Sequence, residues 1–242
     1  MGDFHQNGLI TTLHNLGQRP IECMEKELET FKKDRPMGLV LPSLFSELQG
    51  PALSKIVDEL TSVPYLNEIV IGLDRADESE YRHALDYFSR LPQHHRVLWN
   101  DGPRLLAIDK QLKDIGLAPT HLGKGRNVWY CYGYTLASGR SKAVALHDCD
   151  ILTYDRSLLA RLIYPVANPN FSYVFCKGYY ARVAGNRIGG RVMRLFVTPL
   201  IRTLKKVSEQ NEFLDYLDSF RYPLAGEFSL RSDVINDLRI PS

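Results

Sequence analysis

The sequence has few cysteines, and none is placed to do what clustered cysteines do. Cys23, Cys131, Cys149 and Cys176 show no C-x-x-C spacing, which excludes a zinc knuckle or a paired redox motif and offers no disulfide framework; a reducing cytoplasm is the default setting. Long apolar runs are also missing. No stretch approaches the roughly 18 residues of a membrane-spanning helix, and the N-terminus lacks the basic segment and apolar core of a secretory signal. Met1-Gly2 opens like an acylation signal, but Gln6 stands where that signal needs Ser or Thr. Charge of one sign is not in excess either. With 30 Lys and Arg against 28 Asp and Glu, the net charge of +2 gives no electrostatic case for nucleic acid or an anionic membrane as a partner. Finally, no internal repeat, low-complexity tract or Pro- or Gly-rich linker marks off a second domain.

What is present suffices for one sizeable core: 242 residues, 44% hydrophobic and 24% charged. Residues 1–36 form a polar leader in which CMEKELETFKKD has helical composition and period. From there the chain alternates. MGLVL (37–41) reads as a buried strand closed by Pro42, and Pro51 to Ser62 as an amphipathic helix with proline at its start. NEIVIGL (67–73) is a second strand ending at Asp74, followed by a helix over about 77–90; HRVLW (95–99) is a third, followed by a helix through Leu105 to Ile115. Three successive strand-helix units predict an α/β fold with a mainly parallel, doubly wound sheet and helices on both faces. Ligands of such sheets bind beyond the carboxyl ends of the strands, where this sequence puts Ser43, Glu47, Asp74, Asp101, Asp148 and Asp150.

The organising stretch is KAVALHDCD (142–150), read as a buried strand running to its acidic end. Residues two apart on an extended chain face the same side, so Asp148 and Asp150 are expected to converge on one point. Two carboxylates that close suit a hard cation, Mg²⁺ or Mn²⁺, bridging to a diphosphate; equally, acidic residues simply end strands and start turns. Upstream, Gly123-Lys124-Gly125 precedes a helix expected to start near Asn127, so a turn, a cation and a helix N-terminus meet in a way that favours an anion. It is not a Walker loop, since Arg126 follows Gly125 and no Ser or Thr follows Lys124. Further on, Ser172 to Arg182 reads as a strand, and the loop VAGNRIGG leads into a proline-containing helix at whose start Arg191 offers a second anion contact. PLAGEF then sets Glu227 in an apolar segment before a helix expected from about Arg231, where a carboxylate needs a partner.

Taken in order, PSLFSE, the strand end at Asp74, GKGRNVW, ALHDCD, GGRV and PLAGEF resemble the glucosyl-3-phosphoglycerate synthases over about Gly38 to Val234. That resemblance implies a glycosyltransferase-A fold and transfer of glucose, with retention, from UDP-glucose to the 2-hydroxyl of 3-phosphoglycerate, with Mg²⁺ or Mn²⁺ as cofactor. It implies that Pro42, Ser43, Leu44 and Glu47 hold the uridine, that Asp74 contacts base or ribose, and that Gly123 and Lys124 lie at the donor. Asp148, Cys149 and Asp150 become the metal and diphosphate motif, with Asp150 the more direct ligand; Gly190, Arg191 and Val192 cradle the acceptor; Glu227 faces the transferred sugar. Two departures stand out. Met193 occupies a position where the family carries a hydroxyl residue, and the family's later metal-ligating His has no counterpart before Ser242. The expected layout is therefore a leader (1–36), a nucleotide-sugar half (37–150) and an acceptor half (151–242) lacking its C-terminal part. A homodimer is compatible with the sequence and not readable from it. Other classes stay open: a related transferase with a mannosyl donor or glycerate acceptor, a haloacid-dehalogenase-type phosphatase, which would want Thr or Val where Leu152 stands, or a non-catalytic nucleotide-binding module.

Overall fold

The computed structural model describes residues 10–14, 19–119, 121–180, 183–184, 187–188, 190–208 and 210–240. The Met1-Gly2 signal with Gln6, the end of the expected strand at Ala181-Arg182, and Gly185, Asn186 and Gly189 of the glycine-containing loop lie outside them. Contacts divide the chain into a larger unit, Arg19–Cys176 with Gly226–Ser242, and a smaller one, Met1–Gln18 with Lys177–Ala225.

In the larger unit the order is α1 (Ile21–Phe31), β1 (Met37–Leu44), α2 (Pro51–Thr61), β2 (Leu66–Asp74), α3 (Glu78–Phe88), β3 (His95–Trp99), α4 (Pro103–Asp114), α5 (Lys124–Ser138), β4 (Ala143–Leu146), α6 (Arg156–Ala167) and β5 (Phe175–Lys177), and β8 (Phe228–Arg231) returns to it later. The smaller unit holds β6 (Val183–Ala184), β7 (Arg187–Ile188), α7 (Thr198–Val207) and α8 (Glu212–Ser219). One six-stranded sheet runs β3-β2-β1-β4-β8-β5. β1 is parallel to β2 and β4, and β2 to β3, as the strand-helix alternation predicts. β8 is antiparallel to β4.

Side-chain alternation explains why this sheet needs helices on both faces. Leu39, Leu41, Ile69 and Ile71 enter one core with Leu53, Ile56, Leu60, Phe88 and Ile163, while the intervening Val40 and Val70 enter a second core with Val144, Leu146, Val128 and Tyr132. Thus α1, α2, α3 and α6 cover one face and α5 the other. Each such Leu, Ile, Val or Phe withdrawn from water contributes about 1.5–3 kcal/mol. Local signals fix the helix starts: proline occupies the first turn of α2 and α4, and Asp77 caps α3, accepting from Glu80 N at 2.8 Å while the Glu80 carboxylate accepts from Asp77 N at 2.8 Å.

Five boundaries correct the expectations. β1 does not close at Pro42 but continues to Leu44, pairing with β2 as far as Asp74. Val40 faces its carbonyl toward β4, where it accepts from His147 N at 3.2 Å; Pro42, two residues on, points the same way, beyond the end of β4, so its missing N–H leaves no ladder bond unmade. β4 stops at Leu146 instead of running to Asp150. α5 begins at Lys124, not near Asn127. The stretch expected to turn helical from Arg231 instead ends strand β8 there and continues as a short 3-10 turn, Ser232–Asp237. β5 is also shorter than the predicted Ser172–Arg182.

In the smaller unit β6 and β7 pair antiparallel. The helix that follows starts at Arg191 and widens into a π turn over Met193–Val197, where Thr198 N donates to Met193 O, before continuing as α7. Pro199 accounts for the widening, because its ring has no N–H to give and crowds the carbonyl four residues back. Lys205 ties α7 to α8 through Asp215 at 2.8 Å and Asp218 at 3.1 Å.

Candidate active site

The carboxyl edge of β4 is where the acidic motif emerges, and its shape follows from how β4 ends. Leu146, the last residue of β4, pairs with Val40, from which β1 runs on alongside β2, and with Phe228, the first residue of β8. The chain therefore leaves the sheet, and Asp148, Cys149 and Asp150 lie in the turn beyond it. Simple strand alternation does not aim the two carboxylates. Asp148 is half-buried and Asp150 exposed, while Cys149 between them packs into the first core, where burial pushes its thiol well above the usual range. Cys149 thus anchors the turn as a neutral apolar residue.

Lys124, the first residue of α5 after Gly123, forms an ion pair with Asp148 Oδ1. The other carboxylate oxygen meets the backbone leading into β8. A Cβ placed on Gly226 would sit 2.4 Å from Asp148 Oδ2, so a glycine there is what lets the chain close on it. The next residue, Glu227, is 2% exposed, and its Oε2 has no protein partner. The buried carboxylate expected in PLAGEF is therefore real, and among the described residues its Oε2 has no hydrogen-bond partner.

The loop after β1 reaches the same place. Glu47 accepts from Leu44 N at 2.9 Å, shaping the turn Phe45–Gln49, and Ser43, buried, donates to the Leu44 carbonyl at 3.0 Å. Burial raises the Glu47 carboxyl above its usual value, the Leu44 N–H and Ser43 oppose the rise, and the charges of Asp150 and Asp148 add to it. The structure thus brings Pro42-Ser43-Leu44-Glu47 and the D-x-D turn into one field, as the motif order predicts.

A third group gathers at the ends of β2 and β3. Asp74 is buried and accepts from Asn100 Nδ2 at 2.7 Å. Asn127, in the first turn of α5, donates to the Gly72 carbonyl at 2.9 Å and supports the Asp74 carboxylate as well. Burial raises the Asp74 carboxyl, with the two amides opposing it. Asp101 holds Ala76 N at 3.3 Å, and between them Arg75 adopts φ 57, the only non-glycine residue with positive φ among those described. Asn100 and Asn127 were not anticipated as site residues; single amides in mixed sequence carry no pattern, and only the close approach of α5 to β2 reveals them.

Gly190, Arg191 and Val192 belong to the smaller unit. Gly190 has φ +94, the left-handed conformation that favours glycine, and it delivers the chain into the helix at Arg191, whose side chain is exposed, as is Val192. His147, next to the acidic turn, is fully buried and held neutral, its pKa pushed down to about 3 by burial, which fits a structural role. Among the described residues no three His, Cys, Asp or Glu side chains are arranged as a metal cage. Asp148 and Asp150 are hard oxygen donors, with Glu47 already committed to Leu44 N, so this pair would be the one to hold a Mg²⁺ or Mn²⁺.

No family model matches the chain. Over 99% of its length, however, it is 48% identical to the glucosyl-3-phosphoglycerate synthase of Persephonella marina and 41% identical to that of Methanococcoides burtonii. It spans 59% of the length of each. Among solved structures it is similar to the glucosyl-3-phosphoglycerate synthase of Mycobacterium tuberculosis in complex with Mn²⁺, UDP and glucosyl-3-phosphoglycerate, with a TM-score of 0.60, 20% identity, and coverage of 94% of this chain and 66% of that one. It is also similar to the mannosyl-3-phosphoglycerate synthase of Rubrobacter xylanophilus, with a TM-score of 0.59, 21% identity, and coverage of 87% and 58%. The resemblance carried by the motifs is borne out over 99% of the chain, and the mainly parallel α/β fold is shared with these solved structures.

Proposed function

We propose that this chain carries the donor and acceptor sites of a cytoplasmic glycosyltransferase that moves glucose from UDP-glucose to the 2-hydroxyl of 3-phosphoglycerate with retention. The observation that carries the reading is the closure around Asp148: Lys124 on one oxygen, the Gly226 backbone on the other, with Glu47 and Asp150 in the same field. A cation and paired carboxylates at the carboxyl edge of a parallel sheet are what a nucleoside diphosphate requires.

In this reading Pro42, Ser43, Leu44 and Glu47 shape the uridine pocket and Asp74 accepts from base or ribose. Gly123 and Lys124 lie along the diphosphate, with the Asp148–Cys149 backbone beside it. Asp150 and Asp148 would hold Mg²⁺ or Mn²⁺, which when bound supplies positive charge for the leaving diphosphate. Lys124 stabilises the same developing charge as the anomeric bond breaks. Glu227, whose buried Oε2 lacks a partner among the described residues, orients hydroxyls of the transferred sugar. Among the described residues of the larger unit no side chain stands out as a nucleophile, and in this reading the acceptor hydroxyl attacks from the leaving-group face and its proton passes to the departing phosphate. Gly190, Arg191 and Val192 cradle the acceptor's anionic groups. The nucleotide-sugar half is residues 37–150 and the acceptor half 151–242. A mannosyl donor is the second reading, favoured by the similarity to the R. xylanophilus enzyme.

The test is UDP release when UDP-glucose and 3-phosphoglycerate are mixed with the chain and Mn²⁺. Equimolar UDP and a phosphorylated glucoside are expected. Inorganic phosphate as the product, or no transfer by a folded chain that binds UDP, would count against the assignment. Parallel reactions with GDP-mannose decide between the two donors.

A further inference from the structure

Helix α5 lies closer to β2 than any side chain at position 72 would allow: a Cβ on Gly72 would be 1.7 Å from Asn127 Oδ1 and 2.6 Å from Cys131 Sγ. What the approach brings to the strand end is the Asn127 amide. This residue is 2% exposed, and its Nδ2 donates to Gly72 O at 2.9 Å while supporting the Asp74 carboxylate. Its orientation is not free. The Cys131 thiol donates to Asn127 Oδ1 at 3.4 Å, and a flipped amide would set its oxygen against the Gly72 carbonyl and the Asp74 carboxylate, both acceptors. From the other side Asn100, fully buried, holds Asp74 at 2.7 Å while its own backbone N–H donates to Leu73 O at 3.0 Å. Thus β2, the end of β3 and the start of α5 are tied through one carboxylate and two amides.

We propose that Asn127 is a positioning residue for the sugar nucleotide, one side chain that sets Asp74 as an acceptor and fixes the start of α5 that carries Lys124. Nucleoside and diphosphate contacts are thereby held in register, three residues apart on one helix turn from anchor to cation. The inference rests on the nucleotide-sugar reading above. It also bears on protonation. Burial pushes the Asp74 carboxyl up and Asp101 adds to that, whereas Asn100, Asn127 and the Arg126 guanidinium oppose it; the Cys131 thiol is a further titratable group within its field. Without the Asn127 donor the carboxylate is harder to keep ionised, so nucleotide binding should fail at a higher pH.

The experiment compares the full chain with Asn127→Ala and the isosteric Asn127→Asp, by calorimetry with UDP and uridine in Mn²⁺ across about pH 5 to 8, with melting curves alongside. Both variants are expected to bind UDP about tenfold or more weakly at neutral pH, the loss of one hydrogen bond to a charged group. Uridine binding should weaken as well, and the acid limb should shift upward in Asn127→Ala and further in Asn127→Asp, which adds a second negative charge beside Asp74. If Asn127→Asp does not fold, Asn127→Ser and Asn127→Ala serve for the shift. Unchanged affinity, or a loss that is uniform across pH with an unmoved limb, overturns the inference and leaves Asn127 as a packing residue. A wild-type chain that binds neither UDP nor uridine at any pH instead overturns the nucleotide reading itself.

Discussion

Lys124 and Gly226 both close on the Asp148 carboxylate, the ammonium at Oδ1 and the glycine backbone nearest Oδ2. One carboxylate is therefore positioned by the start of α5 and by the entry to β8, elements about a hundred residues apart in the chain that share the second core through Val128, Tyr132 and Leu230. Lys124 is consequently exposed enough to meet a phosphate yet already oriented toward the acidic turn.

Replacing Lys124 with Ala is expected to weaken UDP-glucose by roughly 1.5–3 kcal/mol, the range for hydrogen bonds to charged groups. Uridine, which has no diphosphate, should be nearly unaffected. Titration calorimetry with both ligands checks this, and equal losses would make Lys124 a residue that holds the Asp148 turn in shape.

Gly226→Ala tests the other contact. The added methyl cannot fit 2.4 Å from Asp148 Oδ2, so either the acidic turn or the β8 entry moves. Stability is expected to fall by about 1–3 kcal/mol, as for other overpacked sites, and UDP affinity in Mn²⁺ should fall with it. Urea melts paired with UDP binding show whether the two losses go together; a variant that keeps full affinity would mean that Asp148 does not handle the diphosphate.

Asp150→Asn should abolish the metal dependence of UDP binding, because one remaining carboxylate is too little to hold a cation that also grips a diphosphate. The comparison is UDP affinity with Mn²⁺ against the same titration with chelator. Wild type should differ between the two conditions and the variant should not.

Asp74 supplies a pH prediction. Its carboxyl is raised above the ordinary 3.8, chiefly by burial. A group with a raised folded pKa binds its proton more tightly in the folded state, so its contribution to stability is fully present below the unfolded pKa and is lost as pH rises through the folded one. Asp74→Asn removes that loss. The variant is expected to match wild type in acid, to be the more stable of the two at neutral pH, and to bind UDP more weakly. Thermal melts at several pH values check it; a variant less stable than wild type at neutral pH would show that the Asn100 contact outweighs the cost of burial.

Much of the sheet was legible because its strands are short apolar runs with acidic or amide residues at their ends, and β2 and β3 fall within a residue of expectation. The acidic turn was misread for a physical reason: β4 pairs with β1 and β8 only as far as Leu146, opposite Val40 and Phe228, and neither partner is visible from KAVALHDCD alone. β8 escaped because four residues, FSLR, alternate too briefly to distinguish a strand from a helix start, and its partner lies far upstream. α6 was not anticipated at all, since Pro165 interrupts its apolar period. At the site, charged residues announced themselves through motif order, whereas Asn100 and Asn127 act only through packing distance.

The position of β8 has a bearing on how this sheet comes into being. β5 leaves the ribosome earlier, yet in the strand order its neighbour is β8, and β4 likewise waits for β8 along one edge. The sheet cannot be laid down in the order of synthesis. Until Phe228–Arg231 arrives, β4 presents a bare hydrogen-bonding edge, the kind of surface on which unfinished chains stick to one another. The segment that supplies Gly226 and Glu227 is thus also the one that seals a nascent protein against aggregation, so lesions there should reduce soluble yield as well as activity.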